Sequence, residues 1–302
     1  MALSCIILNY NDSENTINLL KNIKDFNSID NIIIVDNCST DDSYAELIKY
    51  KSEKVQIILS EKNGGYGYGN NIGIKYANDV LKSDFVLISN PDVCFDKSCV
   101  DSMLHEFSIN KEMTVLAPVP YTILNKPQYV YAWRIPSKFY LVISASGIAG
   151  RLLLKRQRYK DINIELKAFK VECVAGSLLM VRTNEMIEHG MYDENLFLYG
   201  EETVLGLKLK KANLKTFVMT DLKYIHKHSE SIDKTYSTAI RKQKILLKSK
   251  EYILKNYYSV NGIQLVVARL FFKYSIIETY ITQNIRKIQK MIKDKSSANR
   301  RR

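Results

Sequence analysis

Leu3-Ser4-Cys5-Ile6-Ile7-Leu8-Asn9-Tyr10-Asn11-Asp12 begins as a mainly apolar run and stops abruptly at four polar residues. A short apolar run without alternation reads as a strand buried on both faces, the kind found in parallel sheets. The pattern recurs. β-Branched runs at 32–35, 55–59, 85–88 and 114–117 alternate with helical stretches at 14–25, 42–50, 68–81 and 97–108, for which Ser13, Asp41 and Asp96 are candidate N-terminal caps. Strand and helix in alternation predict an α/β domain on a largely parallel sheet over the first 120 residues.

Outward from this block the rhythm changes. All five prolines, at 91, 118, 120, 127 and 136, fall in one irregular stretch, which holds the single tryptophan, Trp133, and runs into an apolar, then basic segment at 139–160. A second ordered block predicts a strand over 169–181, a short helix from Asn184, a helix at 201–212 and a strand at 216–220. Beyond Tyr236 the chain reads as helices. The expected division is an α/β domain at 1–232 followed by a helical extension at 233–302.

Of the 302 residues, 46% are hydrophobic and 25% charged, with 12 Gly and 5 Pro, which excludes collagenous, low-complexity and wholly disordered classes. The five cysteines, at 5, 38, 94, 99 and 173, are odd in number and lack CxxC spacing, so neither a disulfide framework nor a zinc cluster is expected. The longest uncharged apolar stretch, 139–150, lies between Lys138 and Arg151 and is too short to span a bilayer. The first residues carry neither the basic flank nor the cleavage site of a leader, and a cytoplasmic protein is expected. Charge is uneven. Residues 234–302 hold 17 Lys and Arg against three acids, so that segment carries +14 of the net +12 and the remainder −2.

Polar clusters follow the apolar runs. In an open parallel sheet, ligands bind beyond the carboxyl ends of the strands, which directs attention to Tyr10 and Asn11 after the first run and Asp36 and Asn37 after the second. Asp36 could accept hydrogen bonds from a base or ribose, or turn the chain as Asp often does. Asn63-Gly64-Gly65-Tyr66-Gly67-Tyr68-Gly69-Asn70 precedes a helix, whose N-terminus favours an anion such as a diphosphate. It lacks the third glycine of a dinucleotide fingerprint and follows the third strand rather than the first. Ser89-Asn90-Pro91-Asp92-Val93 sets a carboxylate just past a buried strand, where it could bind a hard divalent cation bridging phosphates, or merely mark a turn.

These runs, in this order, resemble family 2 glycosyltransferases of the GT-A fold, especially the bacterial rhamnosyltransferase-like branch. Ala175-Gly176-Ser177-Leu178-Leu179-Met180-Val181-Arg182 and Tyr192-Asp193-Glu194-Asn195-Leu196-Phe197-Leu198-Tyr199-Gly200-Glu201-Glu202 extend the likeness to residues 3–232. The resemblance implies a GT-A fold with a mostly parallel central sheet flanked by helices and followed here by a C-terminal helical extension. It implies transfer of a sugar from a nucleoside diphosphate donor, and makes 1–232 a catalytic domain with a donor half to about 120 and an acceptor half from 121. Tyr10, Asn11, Asp36, Asn37, Asn63, Gly64, Gly65, Asn70, Asn90 and Asp92 would then contact the donor, and Asp92 with His226 would hold a divalent cation, Mg2+ or Mn2+. His228 is the alternative in register. Glu202 matches the family's base, with Glu201 before it; either could simply favour a helix N-terminus. Trp133, Gly176, Ser177 and Glu201 are candidates for the acceptor side, and Tyr131 with Trp133 could stack on a sugar or anchor packing. The chain departs from the family pattern at Asn90, in place of the first acid of DxD, at Glu202, in place of Asp, and at Val204, where many relatives carry another Asp.

Residues 263–292 place Ile263, Val266, Leu270, Tyr274, Ile277 and Ile281 at helical spacing among lysines and arginines. Such a helix suits an anionic membrane surface, where each basic residue contributes ~1 kcal/mol, or packs on the catalytic domain or a second subunit. No nucleic-acid-binding signature accompanies the basic tail, so nucleic acid is not an expected partner. The expected function is an inverting glycosyltransferase acting on a surface glycan, lipid-linked, at the inner face of the membrane. Two rivals are a sugar nucleotidyltransferase, for which Lys62 is the only basic residue beside the glycine loop, and a non-catalytic membrane scaffold.

Overall fold

The computed structural model describes all residues except 129, 158, 160–166, 228–237 and 300–302, and the side chains of 153–157, 286–288 and 290–299 are likewise left aside. His228 and the boundary expected at 232/233 therefore lie outside the described residues. The elements, in chain order, are β1 (Leu3–Asn9), α1 (Ser13–Ile23), β2 (Asn31–Asp36), α2 (Ser43–Leu47), β3 (Val55–Leu59), α3 (Tyr66–Asp79), β4 (Phe85–Ser89), β5 (Val93–Cys94), α4 (Lys97–Ile109) and β6 (Met113–Tyr121). There follow β7 (Ala132–Trp133), α5 (Lys138–Ile143), α6 (Gly147–Gln157), β8 (Ala168–Val171), β9 (Cys173–Val174), β10 (Leu178–Arg182), α7 (Thr183–Glu185), α8 (Glu201–Lys211), β11 (Lys215–His226), α9 (Ala239–Tyr257) and α10 (Gly262–Asn299).

The chain forms two compact units, Met1–Ile135 with Gln157–Thr235, and Pro136–Arg156 with Tyr236–Arg302. In the first, the described strands form a sheet ordered β3-β2-β1-β4-β10-β6-β11-β5, with β8 also on β11, and a small sheet of β7 and β9. Alternate residues of β1 and β2 enter opposite cores: Leu3, Cys5, Ile7, Ile32 and Ile34 in one, Ile6, Ile33 and Val35 in the other. Burial on both faces is the reason these strands read as unbroken apolar runs. The pairs β1–β2, β2–β3 and β1–β4 are parallel, with Asn9 opposite Asp36 and Ile7 opposite Ser89, so these strands end together at one edge. α3 lies close on β1: a Cβ at Gly69 would fall 2.2 Å from Leu8 Cδ1, and one at Gly73 would fall 2.6 Å from Ile6 Cγ2.

The second half of the sheet is mixed. β10 runs antiparallel to β4 and β6, and β11 runs parallel to β6 but antiparallel to β5 and β8. The single strand expected over 169–181 is three strands, because an apolar run does not encode which partner each piece meets. The strand expected at 216–220 continues to His226 past a bulge, since Met219 pairs with Pro118 and Lys223 with Val119. The caps of α1 and α2 are Asp12 and Asp42, one residue from the expected Ser13 and Asp41.

The second unit is helical. α9 packs along α10, and α5 touches both. Its interior holds polar groups that are individually matched. Lys250 Nζ donates to Leu141 O at 3.0 Å and Ser144 Oγ at 2.7 Å, and Gln243 Nε2 donates to Ala145 O at 2.8 Å. Glu278 Oε1 accepts from Ile148 N at 2.8 Å, a carboxylate at the positive end of α6. These contacts tie 136–156 to the C-terminal helices across more than 90 residues of chain.

Candidate active site

The ends of β1 and β2 are joined through Asp36, which is fully buried. Its carboxylate accepts from Asn9 Nδ2 at 2.7 Å, Ser39 N at 2.9 Å and Ser39 Oγ at 2.8 Å. Asn11 exchanges two hydrogen bonds with Thr40, and its backbone N donates to Ser39 Oγ at 2.9 Å. Asn11 and Cys38 sit in the left-handed region, at φ 51 and 59, conformations that the surrounding bonds must hold. Asp36 thus faces a network that fixes both strand-end loops, with Tyr10 half-buried alongside. Asn9 and Ser39 were missed in the sequence; the readable signal was a polar residue closing an apolar strand opposite an acid.

Asn37 extends this network into the glycine loop. Its Nδ2 donates to Asn63 Oδ1 at 3.1 Å and Gly65 O at 3.0 Å, and Gly65 N donates back to Asn63 Oδ1 at 3.1 Å. Gly65 has φ 91, and a Cβ there would lie 2.1 Å from Phe197 O, which also accepts from Tyr66 N at 3.0 Å. The protein's own backbone therefore requires this glycine. Gly64 is crowded by the Tyr68 ring, and buried Asn70 donates to Tyr66 O at 3.0 Å while its Oδ1 has no hydrogen-bond partner among the described residues.

Residues 175–177 are the crossroads of the site. Asn90 N donates to Ser177 O at 2.9 Å, Ser177 Oγ meets Tyr224 Oη at 2.5 Å, and Tyr66 Oη donates to Gly176 O at 2.7 Å. A Cβ on Gly176 would lie 3.0 Å from Glu202 Oε1. Tyr131 O accepts from Ala175 N at 3.0 Å, and Trp133 pairs with Cys173, which brings the half-buried indole's strand beside the same turn. Tyr66 and its edge-on neighbour Tyr192, centroids 5.5 Å apart, are further residues the sequence reading did not single out.

Glu201 and Glu202 open α8 behind two left-handed residues, Tyr199 at φ 74 and Gly200 at φ 97. Glu201 is buried, and among the described residues its Oε1 has no hydrogen-bond partner; Glu202 is half-buried against Gly176. Burial, then the charge of Glu202, holds Glu201 well above the usual carboxylate range, and burial raises Glu202 as well. Burial also pushes the Tyr224 hydroxyl up, with the charges of Asp92 and Glu202 both adding to the shift.

Strand pairing sets His226 opposite Val93, beside Asp92. His226 Nε2 lies 3.4 Å from Asp92 Oδ1, with side chains 11% and 5% exposed, and the His226 ring stacks on Tyr224 at 6.4 Å between centroids. An imidazole nitrogen and a carboxylate oxygen in one place are a donor set that suits a hard or borderline divalent ion. Among the described residues no third His, Cys, Asp or Glu joins them. Contacts thus run from Asp36 and Asn37 through the glycine loop and Tyr66 to Gly176 and Glu202, and from Ser177 through Tyr224 to His226 and Asp92.

The family model for Glycosyl transferase family 2 matches residues 4–182. This chain belongs to glycosyl transferase family 2. It is a glycosyltransferase with the GT-A type of α/β fold. The low-salt glycan biosynthesis hexosyltransferase Agl10 of Haloferax volcanii is 26% identical over 234 residues, covering 77% of this chain and 69% of that one. N-acetylglucosaminyl-diphospho-decaprenol L-rhamnosyltransferase of Mycobacterium tuberculosis is 24% identical over 213 residues, 66% of this chain and 67% of that one. Among solved structures, GalNAc-T7 with UDP, GalNAc and Mn2+ aligns at TM-score 0.57 and 14% identity over 75% of this chain, which spans 44% of that longer one.

Within this glycosyltransferase the departures from the family pattern have structural sites. Asn90 is half-buried where its backbone meets Ser177, and Val204 is 1% exposed in the interior, a position that would not accept an unpaired acid.

Proposed function

We propose that this chain catalyses inverting transfer of a sugar from a nucleoside diphosphate donor to a hydroxyl of a surface-glycan acceptor carried on a lipid. The observation that carries the reading is Glu202, a carboxylate of raised proton affinity lying against Gly176 in the contact network that also includes Tyr66, Ser177 and Asn90. A carboxylate of this kind takes the proton of the acceptor hydroxyl as its oxygen attacks the anomeric carbon. The bond from that carbon to the diphosphate breaks on the opposite face, and its electron pair leaves with the nucleoside diphosphate. Asp92 and His226 would hold a divalent cation, Mg2+ or Mn2+, which when bound neutralises charge developing on the leaving diphosphate.

The donor side of the reading comprises Tyr10, Asn11, Asp36, Asn37, Asn63, Gly64, Gly65, Asn70, Asn90 and Asp92. Asp36 acts there chiefly by holding the two strand-end loops. Trp133, Gly176, Ser177 and Glu201 form the acceptor side. The name of one relative, a transferase to a decaprenyl diphosphate sugar, supports a lipid-linked acceptor, and that of another, a glycan-biosynthesis hexosyltransferase, supports a glycan product. The test is Glu202→Gln. Donor affinity measured by calorimetry stays within about twofold, while transfer falls about 100-fold or more, the range for losing a general base. Unaltered turnover would remove Glu202 as the base.

A further inference from the structure

α10 is apolar on two opposite faces. One is covered within its unit, where Ala268, Phe272 and Ser275 are buried. On the other, Ile263, Val266, Leu270, Tyr274, Ile277 and Ile281 recur every three or four residues and are all more than half exposed. Phe139 on α5 and Ile148 and Leu152 on α6, in the same unit, are exposed as well. A continuous bare stripe of this length marks a surface that meets something other than water.

We infer that this face of α10 docks on an anionic lipid surface, with the helix lying along the membrane plane. Charge selects the occupant. The second unit holds 20 Lys and Arg against three acids, a net of +17, which leaves −5 on the first unit of this +12 chain. Two of the three acids are engaged inside the unit, Glu251 with Arg269 at 2.5 Å and Glu278 with the start of α6. Exposed lysines and arginines, among them Arg241, Lys244, Lys248, Lys255 and Lys273, remain to face outward. Stacking the same stripe on a second copy would bring two such units into contact, at a Coulomb cost that anionic headgroups turn into a gain. No described helix is long and apolar enough to cross a bilayer, which leaves lying on the surface as the geometry. The inference rests on α10 and its charge; a lipid-linked acceptor, as proposed above, gives the docking a use.

The test is sedimentation of the full chain with vesicles of equal parts phosphatidylcholine and phosphatidylglycerol, and with phosphatidylcholine alone. The chain pellets with the anionic vesicles, stays in solution with the neutral ones, and is released by added salt. Val266→Ser/Leu270→Ser/Ile277→Ser, at exposed positions, lowers partition by about tenfold or more with helix content unchanged by circular dichroism. Lys244→Glu/Lys273→Glu lowers it without touching an apolar residue, and serves if the triple variant misfolds. Protein remaining in the supernatant with anionic vesicles overturns the inference, as does undiminished partition of both variants. So does a wild-type dimer, in sedimentation velocity, that the serine variant splits while vesicles go unbound. Transfer to a water-soluble acceptor is read in parallel: vesicle binding without transfer overturns the proposed function alone, and transfer without vesicle binding overturns this inference alone.

Discussion

Glu201 and Glu202 share the first turn of α8, and the difference between them lies in what each side chain meets. Glu201 is enclosed, with one oxygen lacking a hydrogen-bond partner among the described residues, whereas Glu202 reaches Gly176. A carboxyl held above its ordinary range in the folded chain keeps a proton that the unfolded chain has already released. Its contribution to stability is therefore present in acid and is lost as pH rises from the ordinary carboxylate range toward the raised value. Glu201→Gln abolishes that loss. Near neutral pH the variant unfolds at higher urea than the parent, by about 2 kcal/mol, and the gap closes on acidification. A urea difference constant across pH would show that Glu201 does not carry this burden.

At the scale of elements, β1 to β4 were legible because each is a contiguous, mainly apolar run: 55–59 coincides with β3, and the other three differ by a residue or two at their ends. The strand read at 114–117 stopped short because Pro118 and Pro120 look like breaks. In the fold they lie in β6 where its pairing to β10, at Val115 and Leu116, has ended and where β11 bulges, so a missing N–H costs little. β11 itself was only half visible. Its outer part is held by partners distant in sequence, above all Ser177, whose hydroxyl meets Tyr224. The acids and His226 of the candidate site were readable as residue types, but Tyr66, Asn9 and Ser39 act through contacts that only the folded chain defines. Tyr224→Phe keeps the ring and strands a buried Ser177 hydroxyl, which costs about 1–2 kcal/mol in urea denaturation. Adding Ser177→Ala, which removes the other partner, restores part of the loss; additive losses would show that the pair is not coupled.

Across the whole molecule, charge was countable from sequence but its grouping was not. The basic tail was evident, yet Pro136–Arg156 joins it through Lys250, Gln243 and Glu278, contacts that local hydropathy does not register. Lys250 makes this association testable. Burial lowers its amine to about pH 8, although the side chain donates to Leu141 O and Ser144 Oγ. Above about pH 8 the folded chain has released this proton, while the unfolded chain retains it up to the ordinary lysine value of 10.5. Stability therefore rises with pH across that window, by up to about 3 kcal/mol for the complete shift. Lys250→Met has no proton to release there. In urea denaturation of the full chain, the parent gains on the variant as pH climbs from about 8, the other lysines and tyrosines being common to both. Hydrogen exchange then assigns the gain to amides of α5 and α9, which Lys250 joins. Parallel stability curves for the two proteins would mean that the amine is solvated, and that the polar contacts do not hold 136–156 to the C-terminal helices.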